Sequence, residues 1–167
     1  MNQQKSCRKF IYIIEVFLLI LSAVAFMKQL IIDLLIDEEY AIVMSYRIAV
    51  GDRMFAEMWE PHQTSGFLCA LFIKIFLFLG ISGLDHLIIY LRLTGILLQC
   101  AVSLFMYDTL KKQYPQPLAF FCSLLCLNLL PKWILVPEFS KMLLWGNLCT
   151  MLCFLRIHYG SRHVRLL

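Results

Sequence analysis

Long apolar runs separated by short polar stretches are the feature of this sequence that most constrains its fold. Residues 10–32 and 86–110 are each long enough for a helix that crosses a bilayer, which takes about 20 apolar residues, and residues 118–136 and 139–155 form two further runs. Hydrophobic residues make up 61% of the chain, whereas soluble domains contain about 45–50%. A soluble fold of this size could not bury so much apolar surface. The sequence therefore predicts an all-α, polytopic transmembrane helical bundle that forms a single membrane domain.

The charged residues and the cysteines argue against several other classes of protein. The net charge is +4, but Lys and Arg fall mainly at the ends of apolar runs, which is typical of membrane topology and not of a nucleic-acid surface. Six of the seven cysteines lie inside apolar runs, so no disulfide framework is predicted. The first run exceeds the apolar core of a signal peptide, about 7–15 residues, and we interpret it as a retained signal anchor. Membrane lipids are expected as partners, and nucleic acid and cofactors are not.

The number of spans depends on how the short apolar run at residues 64–79 is placed. This run carries Lys74, and a full crossing there would give five spans and would place Lys111 and Lys112 opposite the basic N-terminus, against the positive-inside rule. If the run instead lies in the membrane interface or re-enters, there are four spans and every basic flank is cytoplasmic. We prefer four spans, with both termini cytoplasmic in the plasma membrane of a bacterium. Residues 33–85 then form one outer loop.

The outer loop is rich in carboxylates close to the membrane surface. Asp37 follows the first span within a few residues, and a carboxylate held at that height can serve as a general base toward an acceptor hydroxyl. Simple solvation of such acids is the alternative, which sequence chemistry alone favours. Glu60 and His62 form a second cluster, where a structural or hydrogen-bonding His is favoured over a metal ligand because too few further ligands are in register. No metal site is predicted.

Arg92 lies about seven residues into the run 86–110, where a charge is costly unless it is paired. An outer-loop carboxylate or a substrate phosphate would match the guanidinium fork. Snorkelling of the long side chain to the membrane surface is an equal alternative.

The pattern of the outer loop resembles the opening of bacterial GT-C-type membrane glycosyltransferases, the enzymes similar to RgtA/B/C/D and to protein O-mannosyltransferases. The matching segments are Asp37-Glu38-Glu39-Tyr40, Ser45-Tyr46-Arg47, Gly51-Asp52-Arg53-Met54-Phe55, Trp59-Glu60-Pro61-His62-Gln63-Thr64-Ser65, Arg92-Leu93 and Pro137-Glu138-Phe139. The resemblance implies two juxtamembrane helices in the first outer loop, at about residues 39–50 and 64–79. It also implies that a chain of this length is the N-terminal portion of such an enzyme.

The same resemblance implies roles for individual residues. Asp37 would be the catalytic base that activates an acceptor for attack on a sugar linked to polyprenyl phosphate, and Glu138 the second catalytic acid. Glu38, Glu60, His62 and Arg92 would bind substrate. Because family members continue through further spans, the chain alone is expected to lack part of the donor pocket, which leaves its activity as an enzyme open. The alternative function is a non-catalytic membrane protein, a remnant or accessory subunit that binds the remaining part of a split enzyme.

Overall fold

The computed structural model describes residues 2–57, 63–81 and 83–164. Within these ranges the chain is helical and contains no strand. The helices are α1 (Asn2–Leu30), α2 (Ile36–Val50), α3 (Gly66–Phe78), α4 (Leu84–Leu110), α5 (Gln116–Asn128) and α6 (Phe139–Val164), with short 3-10 helices at Gln63–Ser65 and Pro131–Trp133. The all-α fold class predicted from the sequence is thus confirmed.

Glycine and proline set several of the helix ends. Gly51 adopts a left-handed conformation with φ 110° directly after α2, where its N–H donates to carbonyls of the last turn. Gly80 and Gly83 also have positive φ and lie in the turn between α3 and α4, where no helix continues. Pro117 lies in the first turn of α5, where its missing N–H costs no hydrogen bond.

Four helices alternate in direction along the molecule. The Arg92 guanidinium of α4 donates to the carbonyl of Leu30 at the end of α1, so these two helices are antiparallel. Gln99 of α4 donates to Cys126 near the end of α5 and accepts from Trp145 of α6. Nearer the end of both helices, Arg156 of α6 binds Asp108 and Thr109 in the last turn of α4. We call the two ends of this bundle the Arg92 end and the Asp108 end, after the α4 residue found at each.

The hairpin of α2 and α3 packs on α4 near the Arg92 end. Its apolar core joins Ile73 and Phe76 of α3 to Leu87 and Leu91 of α4, and the ring of Phe76 lies 5.4 Å from that of Tyr90. The helices expected at about 39–50 and 64–79 are therefore present as α2 and α3. Their packing against the first half of α4 attaches the α2–α3 hairpin to the bundle.

Among the residues that the structure describes, two helices are long and apolar enough to cross a membrane, Lys9–Leu30 and Leu84–Leu110. The run 118–136 differs from the expected helical crossing, because α5 ends at Asn128 after 13 residues. At 1.5 Å per residue such a helix is about 20 Å long, short of the roughly 30 Å hydrocarbon core of a bilayer. The last helix is longer than expected from residues 139–155, and it carries Lys141 and Arg156.

The chain between α5 and α6 is buried although most of it is not helical. Ile134, Leu135 and Val136 are each at most 2% exposed. Leu135 packs directly on Gly95 of α4, and its carbonyl accepts a 2.8 Å hydrogen bond from Lys141 Nζ. An irregular backbone inside a bundle needs such internal partners for its polar groups. Gly95 therefore leaves room for this segment against α4, and Lys141 supplies a donor for one of its carbonyls.

Candidate functional site

A cavity of about 310 Å³ at the Arg92 end holds two of the predicted site residues together. Asp37 lines it from the first turn of α2, and Glu138, the residue just before α6, lines it from the other side. The remaining wall comes from α2, the start of α3 and the start of α6: Tyr40, Ala41, Met44, Ser45, Ser65, Gly66, Pro137, Phe139 and Ser140. The structure thus brings the two candidate catalytic carboxylates into one space.

Close packing of α3 on α2 shapes the floor of this cavity. A Cβ on Gly66 would stand 2.9 Å from Ile48 Cδ1 and 3.3 Å from both Met44 Cε and Ser45 Oγ, so glycine permits the close approach of the two helices. Ser45 is buried, and its hydroxyl donates a 2.7 Å hydrogen bond to the Ala41 carbonyl one turn earlier in α2. Close packing and this hydrogen bond therefore orient the Ser45 side chain at the floor of the cavity.

The two carboxylates have different surroundings. Asp37 is exposed to solvent. Glu138 is 8% exposed, and its Oε1 accepts a 3.0 Å hydrogen bond from the Ser140 backbone N–H while its carbonyl accepts one from Met142. Glu138 therefore caps the N-terminus of α6, where the helix dipole favours a negative charge. An exposed acid suits proton exchange, and an anchored acid suits the orientation of a hydroxyl-bearing ligand.

Arg92 and Glu38 form a buried ion pair beside this cavity. Arg92 is 4% exposed, and its guanidinium contacts both Glu38 oxygens, with Nη2 to Oε2 at 2.7 Å and Nε to Oε1 at 3.1 Å. Its other N–H groups donate to the carbonyls of Leu30, Ile32 and Asp33 at 2.9, 2.7 and 3.4 Å. A guanidinium has five donors, and all five are used within the molecule.

This geometry confirms that Arg92 has a carboxylate partner, one of the alternatives that its position in the sequence left open. It supports a structural role for Glu38 and Arg92, joining the end of α1 to α2 and α4. Their roles in substrate binding stay predictions. Glu60 and His62, the other predicted substrate ligands, lie outside the described residues.

Cys69 of α3 lies behind the cavity wall, next to Ser45. It is 1% exposed, and burial raises its pKa to about 11, although a hydrogen bond with Ser45 acts in the opposite direction. A thiol with such a pKa is protonated at neutral pH and is a poor nucleophile. The carboxylates are therefore the groups in this region suited to acid–base chemistry.

Sequence reasoning missed Lys141 and Gln99. Lys141 is fully buried, with its ammonium 5.7 Å from the ring centroid of Trp145, yet in the sequence it looks like part of a polar turn. Gln99 is fully buried in the middle of a long apolar run. A polar residue so deep in such a run is the signal that could have identified it, because buried amides need hydrogen-bond partners.

No protein-family model, curated protein or solved structure matches this chain.

Proposed function

We propose that this chain is a polytopic membrane protein in which α1, α4 and α6 cross the bilayer, and in which α5 makes a further crossing together with the buried non-helical segment that follows it. The support is the apolar surface of the bundle, since only 17% of the most apolar stretch of α1 is buried inside the molecule. Large side chains such as Phe10, Ile13, Phe17 and Val24 point outward from α1. An apolar surface of this extent requires lipid or protein to cover it.

The orientation follows from charge at the two ends of the bundle. Lys111, Lys112 and Arg156 all bind Asp108, so these bases share one end. The positive-inside rule assigns that end to the cytoplasm. The Asp37 and Glu138 cavity then lies at the outer face of the plasma membrane, together with the α2–α3 hairpin.

Cysteine labelling tests this orientation. We expect a thiol introduced by Glu39→Cys to react with a membrane-impermeant maleimide on intact cells, and a thiol introduced by Lys112→Cys to react only after permeabilisation. Both side chains are exposed, so accessibility differs only by membrane side. Peptide-level mass spectrometry separates these sites from the native cysteines. Reaction of both thiols from the same side would contradict the orientation.

For this outer cavity the function we propose is glycosyl transfer, by this chain or by an enzyme of which it forms the N-terminal part. Asp37 would take the proton from an acceptor hydroxyl as the oxygen attacks the anomeric carbon, and the polyprenyl phosphate would leave with the electrons of the broken bond. Glu138 would orient a sugar or acceptor hydroxyl. The observation that carries this proposal is the meeting of Asp37 and Glu138 in one cavity.

A second candidate is a non-catalytic membrane protein that associates with the rest of such an enzyme. It is favoured by the use of charged groups for structure, since Glu38 is consumed by Arg92 and Glu138 caps α6. In this case the cavity would receive a segment of the partner polypeptide. The two candidates differ in whether Asp37 matters for sugar transfer.

Asp37→Asn is the decisive variant, because it keeps the side-chain size and removes the base. We expect sugar transfer from a polyprenyl-phosphate sugar, measured in membranes that contain this chain and any polypeptide that co-purifies with it, to fall about 10²-fold or more. The matched control is Glu39→Gln, which removes a neighbouring exposed acid outside the cavity and should leave transfer unchanged. Equal activity of Asp37→Asn and wild type, or absence of transfer by wild type, would leave the accessory role.

A further inference from the structure

We propose that α1, α4 and α5 form a second binding site, for a small lipophilic compound that carries an ammonium group. A cavity of about 440 Å³ lies between these helices, within the range of drug-sized ligand sites, roughly 300–1,000 Å³. It shares no lining residue with the Asp37 and Glu138 cavity. Tyr107, one residue before Asp108, lines it, so the site lies toward the Asp108 end of the bundle.

The main evidence is the side chain of Glu15, which α1 directs to this cavity. Its Oε1 atom is buried and has no hydrogen-bond partner in the part of the chain that the structure describes. Leaving a buried carboxylate oxygen without a donor costs free energy, more than for a neutral acceptor. A ligand that brings an N–H donor and a positive charge would remove this cost.

The other polar groups around the cavity also suit a cation. Ser103 and Ser123 line the cavity; the Ser103 hydroxyl donates to the Ser123 carbonyl and the Ser123 hydroxyl donates to the Ala119 carbonyl, so each oxygen keeps lone pairs that can accept a hydrogen bond. The ring of Tyr12 adds aromatic surface, which attracts cations. Apolar side chains form most of the remaining wall and would hold a hydrocarbon body.

Three of the bases near this end are engaged with Asp108. Lys111 and Lys112 both bind Asp108, as does Arg156, which also donates to Thr109. The ammonium of Lys111 also lies over the Tyr107 ring, 5.3 Å from its centroid, and none of these three bases bonds to Glu15 Oε1. An anionic ligand such as a lipid phosphate would meet the Glu15 carboxylate and would be repelled. The site is thus chemically distinct from one for a phosphate-linked donor.

Photoaffinity labelling tests this site in the full chain, reconstituted in phosphatidylcholine nanodiscs. The probe is dodecylamine carrying a diazirine, and the comparison probe is the dodecanol of the same chain. We expect saturable labelling by the amine within residues 12–19, 100–107 and 120–127, displaced by dodecylamine and not by dodecanol. Glu15→Gln keeps the side-chain shape and should weaken apparent amine affinity about tenfold or more, because a charge-assisted hydrogen bond is lost.

Two further variants keep the result interpretable. Glu39→Gln removes an exposed acid remote from this cavity and should leave labelling unchanged. Leu19→Trp fills the cavity while keeping Glu15, and it should abolish saturable labelling even if Glu15→Gln folds poorly. Equal labelling by the amine and the alcohol, unchanged affinity in Glu15→Gln, or labelling outside these segments would overturn the proposal.

Discussion

Replacing Arg92 with methionine is expected to lower the free energy of unfolding by about 3–5 kcal/mol. The substitution leaves Glu38 buried at 2% exposure without its partner, and an unpaired buried charge is much less stable than a paired one. It also removes the donors that hold the carbonyls at the end of α1. The loss should appear as unfolding at lower denaturant concentration in mixed micelles, followed by helical circular dichroism.

The double variant Arg92→Met with Glu38→Met tests whether the lost stability comes from the unpaired charge or from the changed packing. It removes both members of the pair and should recover much of the lost stability, because no buried charge is left unpaired. Arg53→Met is the surface control, since the Arg53 side chain is 77% exposed and its pair with Glu57 should contribute no more than about 1 kcal/mol. A double variant no more stable than Arg92→Met would contradict the charge-pair account.

Gly95→Ala is expected to lower the free energy of unfolding by about 3 kcal/mol or more, at the upper end of what overpacking costs. A Cβ at this position would overlap the Leu135 carbonyl oxygen and stand 2.9 Å from its carbonyl carbon. Overpacking costs about 1–3 kcal/mol where side chains can adjust, and here a buried backbone segment must move. The measurement is thermal unfolding in the same micelles, with loss of the Lys141 contact as the structural consequence.

Gly146→Ala provides a matched control on α6. Nothing lies within 4 Å of a Cβ added there, so the change should stabilise the helix by up to about 1 kcal/mol through helix propensity alone. Opposite signs for the two glycine substitutions would identify close packing as the cause. Equal effects at Gly95 and Gly146 would contradict the packing of residues 134–137 on α4.

The sequence predicts the long helices well because each corresponds to an apolar run with charged ends. It predicts the end of α5 poorly, because the run 118–136 stays apolar through the irregular segment that follows Asn128. Composition does not distinguish a buried helix from buried irregular backbone. Pro131 is the local signal in the sequence that the helix ends before this residue. The partners that satisfy the freed backbone, above all Lys141, are set by tertiary contacts.

The candidate site was predictable in its residue types and less so in their assignment. Asp37, Glu38 and Glu39 are consecutive, and a helix turns about 100° per residue, so each points in a different direction. Asp37 lines the outer cavity, Glu38 is buried against Arg92, and Glu39 is exposed. The phase of α2, which begins at Ile36, decides among them. Sequence pattern placed these three acids in one cluster but could not fix that phase.

The pairing of Arg92 with Glu38 also has a consequence for the order of assembly during synthesis. The two residues are 54 positions apart, so α1, α2 and α3 leave the ribosome before the guanidinium that joins them. Until α4 arrives, the Glu38 carboxylate and the last carbonyls of α1 must be satisfied by water or lipid headgroups. The joint between α1, α2 and α4 therefore cannot close before residue 92 has been synthesised and α4 has been inserted.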